Sequence, residues 1–196
     1  MNRTLWIVLG LLALVIFWGV GARNGMATSD QEVKASWANV QSAYQRRADL
    51  IPNLVKTVQG VANFEKQTLT EVIQARASAT QMKVDAGNLS PENIQKFQAA
   101  QSNLGGALAR LMVVAENYPQ LKATENFSEL QAQLEGTENR IKEERDRFNE
   151  AVKNFNSKVV TFPNNLIAGF SGFSEKGFFQ AEAGSEKAPE VNFDSK

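Results

Sequence analysis

Residues 5–22 (LWIVLGLLALVIFWGVGA) form an uncharged apolar run, and behind it hydrophobic side chains return every three or four positions for most of the chain. As a helix the run would extend about 27 Å, close to the thickness of a bilayer's hydrocarbon core. Trp6 and Trp18 stand near its two ends, where indole rings prefer the membrane interface, and Arg3 and Arg23 bracket it. The rival reading is a cleaved signal peptide, with Val20-Gly21-Ala22 as a tolerable cleavage site. The run is longer than a usual signal core of about 7–15 residues, so a retained single-pass anchor is expected. Orientation stays open, because Arg3 and the α-amine nearly balance Arg23 and Lys34.

Residues 24–30 read as a polar linker, and Ser29 with Glu32 has the spacing of a capping box, so a helix is expected to start there. Its apolar face runs through Val33, Trp37, Val40, Tyr44, Ile51, Leu54, Val58, Ala62, Leu69, Val72 and Ile73, which predicts one very long helix. Pro52 removes a backbone donor and crowds the preceding turn, predicting a bend over residues 47–52 rather than a stop, and Gly60 is a second weak point. Residues 83–89 read as a loop, after which Ser90-Pro91-Glu92 supplies a cap, a first-position proline and an acidic first turn. Ile94, Phe97, Gln101, Leu104, Leu108, Leu111, Ala115 and Tyr118 then form the seam of a second helix, closed by Pro119. Gly105-Gly106 inside it costs about 1 kcal/mol per residue against alanine, which points either to a close helix crossing or to a loosely packed spot. A third helix is predicted from about Asn126 through Phe127, Leu130, Leu134, Ile141, Phe148, Val152, Phe155 and Val159. Pro163 opens a short fourth helix ended by Gly169.

The expected fold is all-α: a transmembrane helix and then an elongated antiparallel bundle of three long helices, running up, down and up, plus the short fourth. In domain terms this gives a tail at 1–4, the membrane helix at 5–22, a linker at 23–30, the bundle at 31–169, and a Phe-rich segment with an acidic flexible tail at 170–196.

Composition narrows the chemistry. There is no cysteine and no histidine, which excludes disulfides, thiolate metal sites, cysteine nucleophiles and the commonest general base. Lys+Arg and Asp+Glu are equal at 21 each, so bulk charge gives no reason to expect nucleic acid as a partner. There is no Gly-x-Ser-x-Gly elbow and no phosphate loop. No catalytic residue, cofactor, metal or small-molecule substrate is implied.

The informative oddity is charge on the packing face. Arg47 falls between Tyr44 and Ile51, while Glu138 and Arg145 interrupt the stripe of the third helix. In an antiparallel bundle Arg46, Arg47, Asp49, Asn53, Glu138, Arg145 and Asn149 form one structural polar network near Pro52. Removing a deeply buried partner from such a network costs about 3–5 kcal/mol. The bland reading is that the network fixes helix register; the sharper one is a site for a small anion or a partner's carboxylate, with Arg46 and Arg47 as donors. Glu143, Glu144 and Asp146 alternate with Lys142, Arg145 and Arg147, as on a solvated face laced by i, i+3 and i+4 ion pairs. Phe170, Phe173, Phe178 and Phe179 lie among glycines and serines, either capping the bundle or offering an assembly surface.

The segments RRADLIPNLV (46–55), LEGTENRIKEERDRFNEAVKNFN (134–156) and FPNNLIAGF (162–170) resemble the LemA family over roughly residues 33–182. The resemblance implies a single-pass bacterial membrane protein with a long antiparallel helical bundle, a short outside N-terminus and the bundle in the cytoplasm. No reaction is established for that family, and its relatives include proteins of magnetosome membranes.

The expected function is therefore a non-enzymatic scaffold of the bacterial cytoplasmic (inner) membrane, contacting the bilayer and either self-associating or recruiting another membrane-associated protein. The alternative is a membrane-tethered sensory or ligand-binding module with a polar pocket between helices near Arg47 and Pro52.

Overall fold

The computed structural model describes residues 3–61 and 64–181, and among them every regular element is a helix. The first, α1 (Arg3–Gln59), is a single helix of 57 residues, about 86 Å long. The linker expected at 23–30 is not a break. Ser29 is buried in mid-helix and accepts a hydrogen bond from Lys158 Nζ at 2.6 Å, and Asp30 beside it is buried and ion-paired. These polar residues look like a loop in sequence because the partners that justify their burial lie far along the chain.

α1 passes through Pro52 and ends at Gln59, so the single long helix expected through Ile73 is in fact two. The second, α2 (Lys66–Gln81), runs back antiparallel. Glycine's low helix propensity at Gly60 gives the weak point, and reversal there lets Phe64 bury against Tyr118, ring centroids 4.9 Å apart. The tip of the expected stripe is lost: Ile73 is exposed, while Leu69 and Val72 are buried.

Residues 82–90 turn the chain again. Val84 and Leu89 are buried there, and Trp37 donates its indole N–H to the Val84 carbonyl at 3.2 Å. α3 (Pro91–Ala115) starts as expected: the Ser90 hydroxyl accepts from the Asn93 amide at 3.3 Å and Pro91 holds the first position. Pro119 does not close this helix. It opens one further turn, α4 (Pro119–Lys122), before α5 (Glu125–Val160). α5 descends past Arg47 at Glu138, past Trp37 at Phe148 and past Ser29 at Lys158. α6 (Asn164–Ser171) ends at Gly172, whose φ of 74° suits a residue without a Cβ, rather than at Gly169.

The bundle thus runs up, down, up and down rather than up, down and up. α5 therefore finishes beside residues 25–29 of α1, next to its apolar start, instead of at the far tip. From about Met26 onward α1 pairs with α5, and α2 pairs with α3. One core cluster gathers Trp37, Tyr44, Phe97, Phe148, Phe155 and Phe179; a second, farther out, gathers Ile51, Leu54, Val72, Leu104 and Leu111. Trp37 is fully buried, with Phe97 and Phe148 centroids at 5.0 and 5.4 Å, so its truncation to alanine would cost about 3–5 kcal/mol.

The apolar start of α1 packs on almost nothing. Its best window has a mean hydropathy of 2.4 with none of it buried, and Trp6 and Phe17 are 59% and 81% exposed. Among the described residues it is the one helix long and apolar enough to cross a membrane. The acidic tail expected near the C-terminus, residues 182–196, lies outside the described residues, as does Ala62 of the predicted stripe.

Candidate functional site

The polar network expected around Pro52 divides into two groups. In the first, Arg47 points from α1 into the bundle with a side chain 5% exposed. Its Nη1 donates to Glu138 at 2.9 Å, and its Nη2 donates to the Gln101 carbonyl at 3.1 Å and to Gln101 Oε1 at 3.0 Å. The guanidinium lies 5.0 Å from the Tyr44 ring centroid. Arg47 thus ties α1 to α3 and α5, and Gln101 passes the chain of bonds on to α2, donating to the Ala79 carbonyl at 3.2 Å, so four helices are joined. Gln101, read as a seam position, is the acceptor that sequence reasoning missed. Its hydrogen-bonding type at an otherwise apolar position was the available signal.

Arg46, Asp49 and Asn53 do not join. All three are exposed; Asp49 accepts from Gln45 one turn earlier, and the Asn53 carbonyl accepts from Thr57. On a 3.6-residue helix, neighbours of Arg47 at −1, +2 and +6 diverge from its face.

Arg47 lies at the floor of an open groove of about 690 Å³, walled by α3 and α5 through Gly105, Leu108, Leu134 and Glu138 among others. No helix crosses closely at the glycine pair: a Cβ on Gly105 would have Arg47 Nη1 as its nearest neighbour, at 4.0 Å. The glycines belong to the loosely packed wall of this groove.

Arg145 and Asn149 form the second group, where they hold the C-terminal segment rather than Arg47. Residues 173–181 run as an extended strap back up the bundle, antiparallel to α5. Three side-chain amides bind it, each through a pair of hydrogen bonds to one residue's backbone. Asn156 binds Lys176 at 2.9 and 2.9 Å, Asn149 binds Phe179 at 3.0 and 2.9 Å, and Gln98 of α3 binds Gln180 at 2.9 and 3.0 Å. The register has a simple cause. Asn149 and Asn156 are two helical turns apart, about 10.5 Å, and Lys176 and Phe179 are three extended residues apart, about 10 Å. Arg145 adds a bond to the Gln180 carbonyl at 2.9 Å and covers the Phe179 ring at 5.0 Å.

The strap's apolar and charged anchors finish the seam. Phe179 stacks on Trp37 at 6.1 Å and meets Phe148 edge-on at 5.5 Å; Phe173 meets Phe155 at 6.0 Å. Lys176 pairs with Asp30 at 2.7 Å, which Lys34 also reaches at 2.7 Å. Burial pushes the Asp30 carboxyl up, but hydrogen bonds and attraction from Lys176 and Lys34 outweigh it and hold the pKa below the ordinary aspartate value. Phe173 and Phe179 therefore do not belong to an exposed assembly surface; Phe170, 93% exposed, and Phe178, 44% exposed, do remain outside.

The carboxylates of α5 separate as well. Glu143 and Asp146 are solvated, but Glu144 is 1% exposed, between Ile141 and Phe148 on the buried seam. Its Oε1 receives Arg140 at 2.6 Å and Arg147 at 3.4 Å, and Oε2 has no partner. The spacing 137, 141, 144, 148, 152 marks that seam, which the dense surrounding charge disguised. Among the described residues there is no group of three or more Asp or Glu able to hold a metal ion.

These features define a membrane-associated helical bundle whose buried polar groups tie helices and strap to one another. The LemA family model matches residues 36–193, and the chain belongs to the LemA family. It is 26% identical over 178 residues to magnetosome protein MamQ 2 of Paramagnetospirillum magneticum, covering 80% of this chain and 64% of that one. It is 25% identical to protein LemA of Metamycoplasma hominis over 92% of this chain and 80% of that one. Magnetosome protein MamQ of Magnetospirillum gryphiswaldense is 25% identical, with 80% and 64% covered. The chain thus spans just under two thirds of the length of the magnetosome relatives.

Proposed function

We propose that this protein is a non-enzymatic scaffold of the bacterial inner membrane, a single-pass anchor that carries a stiff bundle and uses it to self-associate or to recruit a partner protein. The observation that carries the reading is the continuity of α1. One helix supplies both the exposed apolar segment and, from Met26 to Val58, the buried spine on which α5 lies. A bundle built on its own membrane helix is joined to its anchor without a hinge, as a spacer or docking platform requires. Relatives named as magnetosome proteins fit membrane association. The test is chemical crosslinking in native membranes, then purification in nanodiscs with sizing and mass spectrometry of whatever accompanies the chain. Higher-order species or a stoichiometric partner are expected; monomers alone, with nothing co-purifying, would refute the scaffold.

The groove over Arg47 favours a second reading, a membrane-tethered sensory module that takes a small carboxylate between α3 and α5. Its support is the groove's volume and an Arg47 Nε without an acceptor. Against it, both terminal nitrogens of Arg47 are engaged by Glu138 and Gln101. Thermal shifts with a series of short carboxylates, measured on the wild type and on Arg47→Met, separate the two readings: only the sensory module predicts a stabilisation that the substitution removes.

A further inference from the structure

The fourfold path of the bundle returns α6 to the anchor, and α6 is apolar on the side that faces away from the protein. Residues 159–174 contain no charged side chain. Ala168 is buried in the bundle, and Ile167 packs against the membrane helix: its Cδ1 lies 3.5 Å from where a Cβ on Gly19 would sit. Leu166 and Phe170, four residues apart and so on one flank of α6, are 55% and 93% exposed, and Phe162, just ahead of the helix, is 76% exposed. Such a patch is unfavourable in water.

Its height decides what covers it. Gly19 precedes Arg23, the first charge on this side of the anchor, by four residues, which is about 6 Å of helix. A helix resting on Gly19 therefore sits at the boundary between acyl chains and headgroups, where interfacial helices bury their apolar flank about 5–10 Å deep. Trp18, on the neighbouring position and 39% exposed, is an aromatic of the kind that prefers this level. We propose that Phe162 and α6 form a second membrane-contacting element, with Phe162, Leu166 and Phe170 inserted among the lipids of the leaflet on the bundle side. The exposed patch is continuous with the lipid-facing surface of α1, so one apolar solvent covers both. The partner is the bilayer itself, and the bundle stands on two feet. The inference rests on the membrane-anchor reading of residues 5–22.

The test exploits the absence of native cysteine. Single variants Phe170→Cys, Leu166→Cys, Leu12→Cys and Asn117→Cys of the full chain are labelled with an environment-sensitive fluorophore in phosphatidylglycerol–phosphatidylethanolamine vesicles. Quenching is then compared for spin-labelled lipids with the label high or deep on the acyl chain, and for aqueous iodide. Probes at 166 and 170 should be quenched several-fold more by the shallow lipid label than the probe at 117, and be shielded from iodide. The probe at 12 should respond most to the deep label. If the probe at 12 is lipid-quenched while those at 166 and 170 are as open to iodide as the one at 117, the inference fails and the anchor stands. If the probe at 12 is also aqueous, the anchor reading fails with it. Shielding at 170 that lipid labels do not quench, and that disappears on diluting the protein in lipid, would assign the patch to a second copy and overturn the proposal.

Discussion

Arg76 of α2 donates its Nε–H to the Ala48 carbonyl of α1 at 2.8 Å. In a regular helix that carbonyl would accept from the amide of residue 52, which is proline and has none. Ala48 is buried, so without Arg76 a buried acceptor would lack its donor. The proline is tolerated because a second helix supplies the missing bond. Arg76→Met is accordingly expected to destabilise the protein by about 1.5–3 kcal/mol, the range for a hydrogen bond to a charged group. In a Pro52→Ala background, which restores the intrahelical donor, the same substitution should cost clearly less. A double-mutant cycle on thermal or denaturant unfolding of the detergent-solubilised chain measures the coupling; strict additivity would contradict the relationship.

Arg47 and Glu138 should respond unequally to removal. Glu138 is 60% exposed, so after Arg47→Met it is free to hydrate, whereas Glu138→Gln leaves a nearly buried guanidinium facing only neutral acceptors. The second change is expected to cost about 3 kcal/mol, toward the lower end for a broken buried pair because the groove admits water, and the first about 1–2 kcal/mol. Denaturant midpoints of the two variants check the order.

The strap should detach when its amide clamps are removed. Asn149→Leu deletes both bonds to Phe179 and would expose the ring that stacks on Trp37. Trp37 emission, read in a Trp6→Phe/Trp18→Phe background, should shift to the red. Protease sensitivity across residues 173–181 should rise several-fold. Gly177→Ala should act in the same direction, because a Cβ there would lie 2.6 Å from Pro91 Cα.

Acid should loosen the same strap through Asp30. Its folded pKa is depressed, so its contribution is complete above the unfolded value of about 3.9 and is lost as pH falls through the lower folded value. Asp30→Asn removes the contribution at every pH. The difference in Tm between wild type and variant should therefore be largest near neutrality and shrink below about pH 4. A difference that stays constant down to the acid transition would argue against the pairing with Lys176.

The apolar seams were legible because periodicity is a local property. Val33 to Val58, Ile94 to Ala115 and Phe127 to Val159 are buried at the spacings that three- and four-residue steps demand. What escaped depends on partners distant in sequence. Ser29 and Asp30 looked like a linker because Lys158 and Lys176 are more than a hundred residues away, and Glu144 looked solvated because its neighbours are. The reversal after Gly60 was visible only as a weak glycine, since what stabilises it is Phe64 meeting Tyr118. Arg47, a charge between Tyr44 and Ile51, turns inward, whereas Arg145 and Asn149 meet the strap rather than Arg47, because nothing in the chain announces that residues 173–181 lie extended along α5.

The absence of a break between residues 22 and 31 has a mechanical corollary. From Arg23 to the end of α1 is about 54 Å of helix, so a change in lipid tilt of about 10° swings the far end sideways by about 9 Å. With residues 5–22 spanning the bilayer as proposed, a thickness change that tilts the anchor would reach the tip near Gln59 as a displacement. A hinged tether of the same length would dissipate that motion.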